Sequence, residues 1–343
     1  MATYRVWAAS GFYSTMHDVV AEAKRAEAMG FDCFAVIDSV HDGLMAAALA
    51  VQATERIQIA TSALACFPRS PMTTAVAVRD LQEFSGGRFR LGLGPLIKPV
   101  ITRKYSTPWY APAPRMREYI LAMRAIFACW QEEQPLDFRG QFYQFTLQQA
   151  YSRPPKLKQP KIPLHLAAIG PHMTALAGEL ADAIMPHPTN TSARFLREIT
   201  RPGLARGAAR TGRSLADIEL FANILWATGD SKELIAKRRE QHRRTLATLY
   251  STPNYWPDLT LHGWHDRGER LKKMMMLGEW DEMPALVSDE MLDTFVPAGH
   301  YREIAAILQE RYGDAVSSFC FPLPEDPSED RAVASVVRQL QGR

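Results

Sequence analysis

Three stretches carry groups whose types and spacing could do chemistry. Gly170-Pro171-His172-Met173 reads as a helix opening directly after a strand; the free N–H groups at such an end attract anions, and glycine lets a phosphate approach the backbone closely. The same four residues also suit an ordinary αβ turn. Asp38 closes an apolar strand and is followed by His41 and Asp42, a trio fit for acid–base work or for a capped turn. His187, in Pro186-His187-Pro188, supplies an imidazole able to exchange protons near neutral pH, or it shapes a turn.

Other candidates reduce to plainer roles. Lys237-Arg238-Arg239 with Arg243-Arg244 reads as the solvated face of a helix, although such cations would also welcome an acidic tail. His262, His265 and Asp266 lack the spacing of a known metal site, and Met274-Met275-Met276 reads as packing. No G-x-S-x-G, H-E-x-x-H or P-loop pattern occurs. Gly92-Leu93-Gly94-Pro95-Leu96-Ile97 lacks the third glycine of a dinucleotide fingerprint and leads into loop, which argues against a nicotinamide site of that type.

The elements that must position these groups are clearest between residues 57 and 94. Ile57 to Leu64 is a short apolar strand, and Cys66 to Pro71 breaks it. Ser70 before Pro71 predicts an N-cap with proline at the first helical position, and Ser85-Gly86-Gly87 predicts the stop. Arg88 to Gly94 resumes as a strand, so the unit is βαβ with parallel neighbours.

The rest of the chain repeats that rhythm. Strands are predicted over 4–9, 33–37, 162–167, 183–185, 219–225 and 316–320, and helices over 16–29, 43–54, 171–180, 192–211 and 299–312, with a further helix at the C-terminus. Thr15 with Asp18 forms a capping pair and Gly30 a C-cap. Residues 95–115 and 135–160 are irregular, flanking an apolar helical stripe from Met116 to Trp130, and a second, helical excursion runs over about 229–297. Eight apolar strands, each followed by helix, give the order of a (β/α)₈ TIM barrel, an α/β fold. A barrel builds its site from loops at the strands' C-terminal ends, which singles out Asp38, Ser62 to Arg69, Gly94 to Lys98, Ala168 to Met173, His187 and Trp226.

Composition sets the outer limits. With 47% hydrophobic and 22% charged residues, the 343-residue chain can bury a large core. A net charge of +3 without a concentrated basic stripe gives no case for nucleic acid, and no apolar run approaches the ~18 residues of a membrane span. Cys33, Cys66, Cys129 and Cys320 are widely spaced, with no C-x-x-C pair and no signal-like apolar N-terminus. Cys33 and Cys320 read as small buried hydrophobes, and the expected location is the reducing cytoplasm.

Ile59-Ala60-Thr61-Ser62-Ala63, Phe67-Pro68-Arg69-Ser70-Pro71, Ser85-Gly86-Gly87-Arg88-Phe89 and Leu91-Gly92-Leu93-Gly94, in this order and spacing, resemble the bacterial-luciferase-like superfamily of barrel oxidoreductases. The likeness spans nearly the whole chain and is greatest to the branch that uses the deazaflavin coenzyme F420. It implies one luciferase-like TIM-barrel domain over 1–343, with insertions after strands four and seven at about 95–160 and 229–297. It implies a cofactor phosphate at the Gly170 turn, Asp38 beside the deazaflavin ring, and a non-proline cis peptide across Ser62-Ala63 against the ring's back face. The small side chains at 62 and 63 leave room for a flat ring system. Cofactor contacts are expected from Asp38, Ser62, Ala63, Arg69, Ala168, Ile169, Gly170, Pro171, His172 and Met173, and catalytic roles from Asp38, His41 and His187.

The expected activity is hydride transfer between reduced F420 and a small organic substrate, with a possible homodimer as the assembly. FMN presents a similar tricyclic ring and anionic tail, so a flavin monooxygenase using O₂ is the alternative. Departures from the family pattern matter as well. Relatives usually carry small and amide-bearing residues where this chain has Pro95-Leu96-Ile97, which keeps a non-catalytic ligand-binding barrel open. The family's sugar-phosphate dehydrogenases have a glutamate where Ile97 stands and a histidine where Ser39 stands, so sugar phosphates are not the expected substrates.

Overall fold

The computed structural model describes residues 3–343. Eight strand positions close into a parallel barrel: β1 (Arg5–Ala9), β2 (Cys33–Val36), β3 (Gln58–Thr61), β4 (Phe89–Gly94), β5 (Leu164–Ala167), β6 (Ala183–Met185), β7 (Glu219–Asn223) and β8 (Ser318–Cys320). Neighbours pair in chain order, β8 returns to β1 through Val6↔Phe319, and β3 meets β4 through Ile59↔Phe89. The third position has two pieces, because Leu64–Ala65 pairs separately with Leu93 and Gly94 of β4.

The local signals that specify the helices are present. In α1 (Met16–Met29) the Thr15 side chain accepts from Asp18 N and the Asp18 carboxylate accepts from Thr15 N, while Gly30 takes φ +85° at the C-cap. In α2 (Gly43–Ala53) the cap is the Asp42 carboxylate, which accepts from Leu44 N and Met45 N. In α3 (Pro71–Phe84) Ser70 caps and Pro71 opens the helix.

Both excursions fall where expected, after β4 and after β7; the second is helical, as read, and the first holds more order than the sequence suggested. The helix α4 (Pro112–Gln131) starts within the stretch read as loop, since Pro112 and Pro114 occupy the first turn, where a missing N–H costs nothing. Val100–Lys104 forms a π-helical turn, and the aromatic patch is a small hairpin pairing Phe138 with Phe145. The second excursion is bracketed by Ala227–Gly229 and Ala298–His300, which pair in parallel, so the following helix starts at Tyr301 rather than Gly299. It has its own core around Leu246, Tyr250, Leu259, Leu271 and Phe295. Inside the barrel lie Trp7, Cys33, Ala35, Ala60, Met185 and Phe221, and the remaining apolar side chains pack between strands and outer helices.

Candidate active site

A cleft of about 710 Å³ opens at the C-terminal ends of the strands. Its floor is made of small residues: Ser62 and Ala63, joined by a cis peptide, with Gly94, Ala167 and Ala168. The local fold explains their placement. Where the β3–β4 ladder stops, the Thr61 hydroxyl takes over, donating to Gly92 O (2.8 Å) and accepting from Gly92 N (2.9 Å). A Cβ on Gly92 would lie 1.9 Å from Thr61 O, so only glycine allows this approach.

One end of the cleft is the start of α5 (Pro171–Leu180). Gly170 is its N-cap, with extended backbone and no side-chain cap, and Thr174 N already bonds to Gly170 O. The amides of His172 and Met173 therefore belong to the helix end without an intrahelical acceptor. A Cβ on Gly170 would meet nothing within 4 Å, so the glycine leaves open space beside these amides rather than relieving a clash.

The other end is built by the two insertions. Leu96, Ile97, Trp109 and the Pro112-Ala113-Pro114 turn come from the first, and Asn254, Tyr255 and Pro257 from the second. Tyr255 stacks flat on His187, with ring centroids 4.2 Å apart and planes at 3°. His187 Nδ1 lies 2.8 Å from the Thr189 hydroxyl and accepts a longer bond, 3.4 Å, from Thr189 N–H. Desolvation lowers its pKa to about 4, so the imidazole is neutral at pH 7. In that form it holds no extra proton to release at neutral pH, and its hydrogen-bonding groups are one N–H and one lone pair.

The sequence-derived residues divide into two groups. Ser62, Ala63, Ala168, Ile169, Gly170, Pro171, His172, Met173 and His187 all line the cleft. Asp38, His41 and Arg69 lie off its wall. Asp38 Oδ1 accepts from Gly43 N (2.8 Å) and Oδ2 from Ala65 N (2.8 Å), tying the end of β2 to α2 and to the segment beyond the cis peptide. Arg69 pairs with Asp42 at 2.5 Å, and His41, partly buried, lies in the bend just before Asp42. Trp226 is buried, donating its indole N–H to Cys320 O.

Of the cations expected on a solvated face, Lys237 and Arg244 are exposed, while Arg238, Arg239 and Arg243 are engaged, Arg239 with Asp293 (2.8 Å). Arg238 bonds to Glu329 (2.8 Å) and Tyr301 (2.9 Å), and Arg243 bonds to Glu240 and Asp289. His262 contacts Ser192 and Asp258, His265 contacts Thr260, and among the described residues no group of three or more His, Cys, Asp or Glu could hold a metal. Sequence reasoning missed Trp109, Asn254 and Tyr255; their only local signal was an irregular, proline-containing stretch.

Residues 1–318 match the sequence profile described as luciferase-like monooxygenase. The chain belongs to that family. It is 38% identical over 285 residues to an uncharacterised protein of Mycobacterium tuberculosis, covering 83% of this chain and 84% of that one. It is also similar to the 5,10-methylenetetrahydromethanopterin reductase of Archaeoglobus fulgidus, at 25% identity with 92% of each chain covered. The solved coenzyme F420 dependent tetrahydromethanopterin reductase of Methanopyrus kandleri superposes with a TM-score of 0.81 over 98% of each chain, at 21% identity, which confirms the luciferase-like barrel fold. Among the described residues no helix is long and apolar enough to cross a membrane.

Proposed function

We propose that this chain is an oxidoreductase that moves a hydride between the deazaflavin coenzyme F420 and a small organic substrate. The observation that carries the reading is the uncapped start of α5, where Gly170 leaves open space beside the free amides of His172 and Met173. Such an end suits the phosphate of an anionic tail. The small floor of Ser62, Ala63, Gly94, Ala167 and Ala168 suits a flat ring, and the reductase relatives of this family favour deazaflavin as its owner.

Reduced deazaflavin, when bound, supplies the hydride. The residues of the chain position the partners and exclude water: the insertion residues Leu96, Ile97, Trp109 and Tyr255 cover the outer cleft, and the Tyr255 ring holds the plane of His187. Neutral His187 can orient or polarise a substrate oxygen by hydrogen bonding. Asp38 acts through the backbone, fixing Ala65 beyond the floor.

The local test is Gly170→Leu. Its side chain enters open space, so the fold should survive, while the phosphate can no longer approach the amides. Equilibrium titration should show deazaflavin affinity falling at least tenfold, ~1.4 kcal/mol. Unchanged affinity in the folded variant removes the phosphate assignment.

A further inference from the structure

The second half of the cleft has a property that selects among substrates. We infer that the molecule sharing the cleft with the cofactor is uncharged and mainly apolar, carrying no carboxylate or phosphate of its own; this rests on the reading of the cleft as a cofactor and substrate site.

Among the described residues, no Lys, Arg, Asp or Glu side chain lines the cleft. The insertions instead present Leu96, Ile97, Trp109, Pro112, Pro114 and Pro257. Lys98, beside Ile97, is exposed and does not line the cleft, and three other nearby cations are directed elsewhere. Arg69 is paired with Asp42, and Lys104 donates to Ser39 O at 3.0 Å. Arg115 donates to Tyr143 (3.0 Å) and Pro108 O (2.9 Å), with its guanidinium 4.4 Å from the centre of the Phe67 ring. Neutral His187 adds no compensating charge, and the anion-attracting start of α5, with His172 in its first turn, is taken by the cofactor tail in the proposed arrangement.

A carboxylate held against this wall would lose its hydration without gaining a cation, a cost an ester or ketone of the same shape does not meet. The polar groups that do line the outer cleft, Asn254, Tyr255, His187 and the Trp109 indole N–H, can hydrogen-bond to a carbonyl or hydroxyl. The cleft thus suits a hydrophobic body bearing one or two neutral polar groups.

The test uses methyl benzoate, methyl cinnamate and methyl 2-naphthoate, each beside its free acid, in binding measurements with wild-type protein at pH 7.5. At least one ester should bind at least about tenfold more tightly than its acid. Ile97→Arg should reverse that order by placing a cation on the wall, and Asn254→Arg repeats the reversal from the second insertion if the first variant fails to fold. Acids binding as well as esters to the wild type, or no ester binding, overturns the inference, as does an unchanged preference in a folded arginine variant. Deazaflavin is titrated separately: ester preference without deazaflavin binding sinks only the cofactor reading, and deazaflavin binding without ester preference sinks only this one.

Discussion

Replacing Arg90 with methionine should lower the free energy of unfolding by about 3–5 kcal/mol, the range expected when one member of a buried ion pair is removed. The second residue of β4, Arg90 is almost fully buried, and its guanidinium bonds to Glu219 (2.9 Å), Gln58 (2.9 Å) and His165 Nε2 (2.7 Å) beside the Trp7 ring. Burial pulls its pKa down more strongly than Glu219 pulls it up, a sign of how much hydration the pair has given away. Without Arg90, the Glu219 carboxylate keeps only Arg5, at 3.5 Å. Adding Glu219→Leu should recover much of the loss, since the cost is the unpaired buried charge. Urea melts of wild type, single and double variants read this directly. A single variant within ~1 kcal/mol of wild type contradicts it. Gly94 lies four positions beyond Arg90, about 13 Å along the strand, so folded Arg90→Met should keep its deazaflavin affinity.

The second large effect is on pH dependence. His187, with an ordinary unfolded pKa near 6.5 and a folded pKa of about 4, binds a proton in the unfolded state before the folded state accepts one. Above pH 6.5 both states are neutral and the residue adds no slope. Between pH 6.5 and 4 the unfolded chain holds more protons, so stability falls with falling pH, and below 4 the difference is constant. The loss from this residue is about 2–3 kcal/mol once water at the partly exposed ring is counted. His165 and His242, both depressed by desolvation, act in the same direction. His187→Gln should therefore lose less stability than wild type between pH 6.5 and 4, measured by chemical denaturation at each pH. Parallel curves for the two proteins would show that His187 is not held neutral.

The barrel was legible because each strand and helix carries local signals: Thr15 with Asp18, Ser70 with Pro71, and the glycines after α1 and α3. The Gly170 turn was legible for the same reason, since a helix opening without a side-chain cap is visible in four letters. Pro112 and Pro114 hid the start of α4, because the same residues mark loops. Ala298–His300 escaped notice because three residues carry little pattern and their partner lies about seventy residues away. Asp38 shows the limit at the site. Its type and position at the end of β2 could be read, but what its carboxylate binds depends on where Gly43 and Ala65 come to rest. Tyr255 reaches His187 only through the fold of the second insertion, for which no local period exists.

The most direct measurement is equilibrium titration of the purified protein with coenzyme F420 and, separately, with FMN. The expected result is saturable binding of F420 at micromolar or lower concentration and much weaker binding of FMN. Micromolar binding of FMN alone would contradict the account and turn the cleft over to a flavin monooxygenase; binding of neither would favour a barrel without redox chemistry.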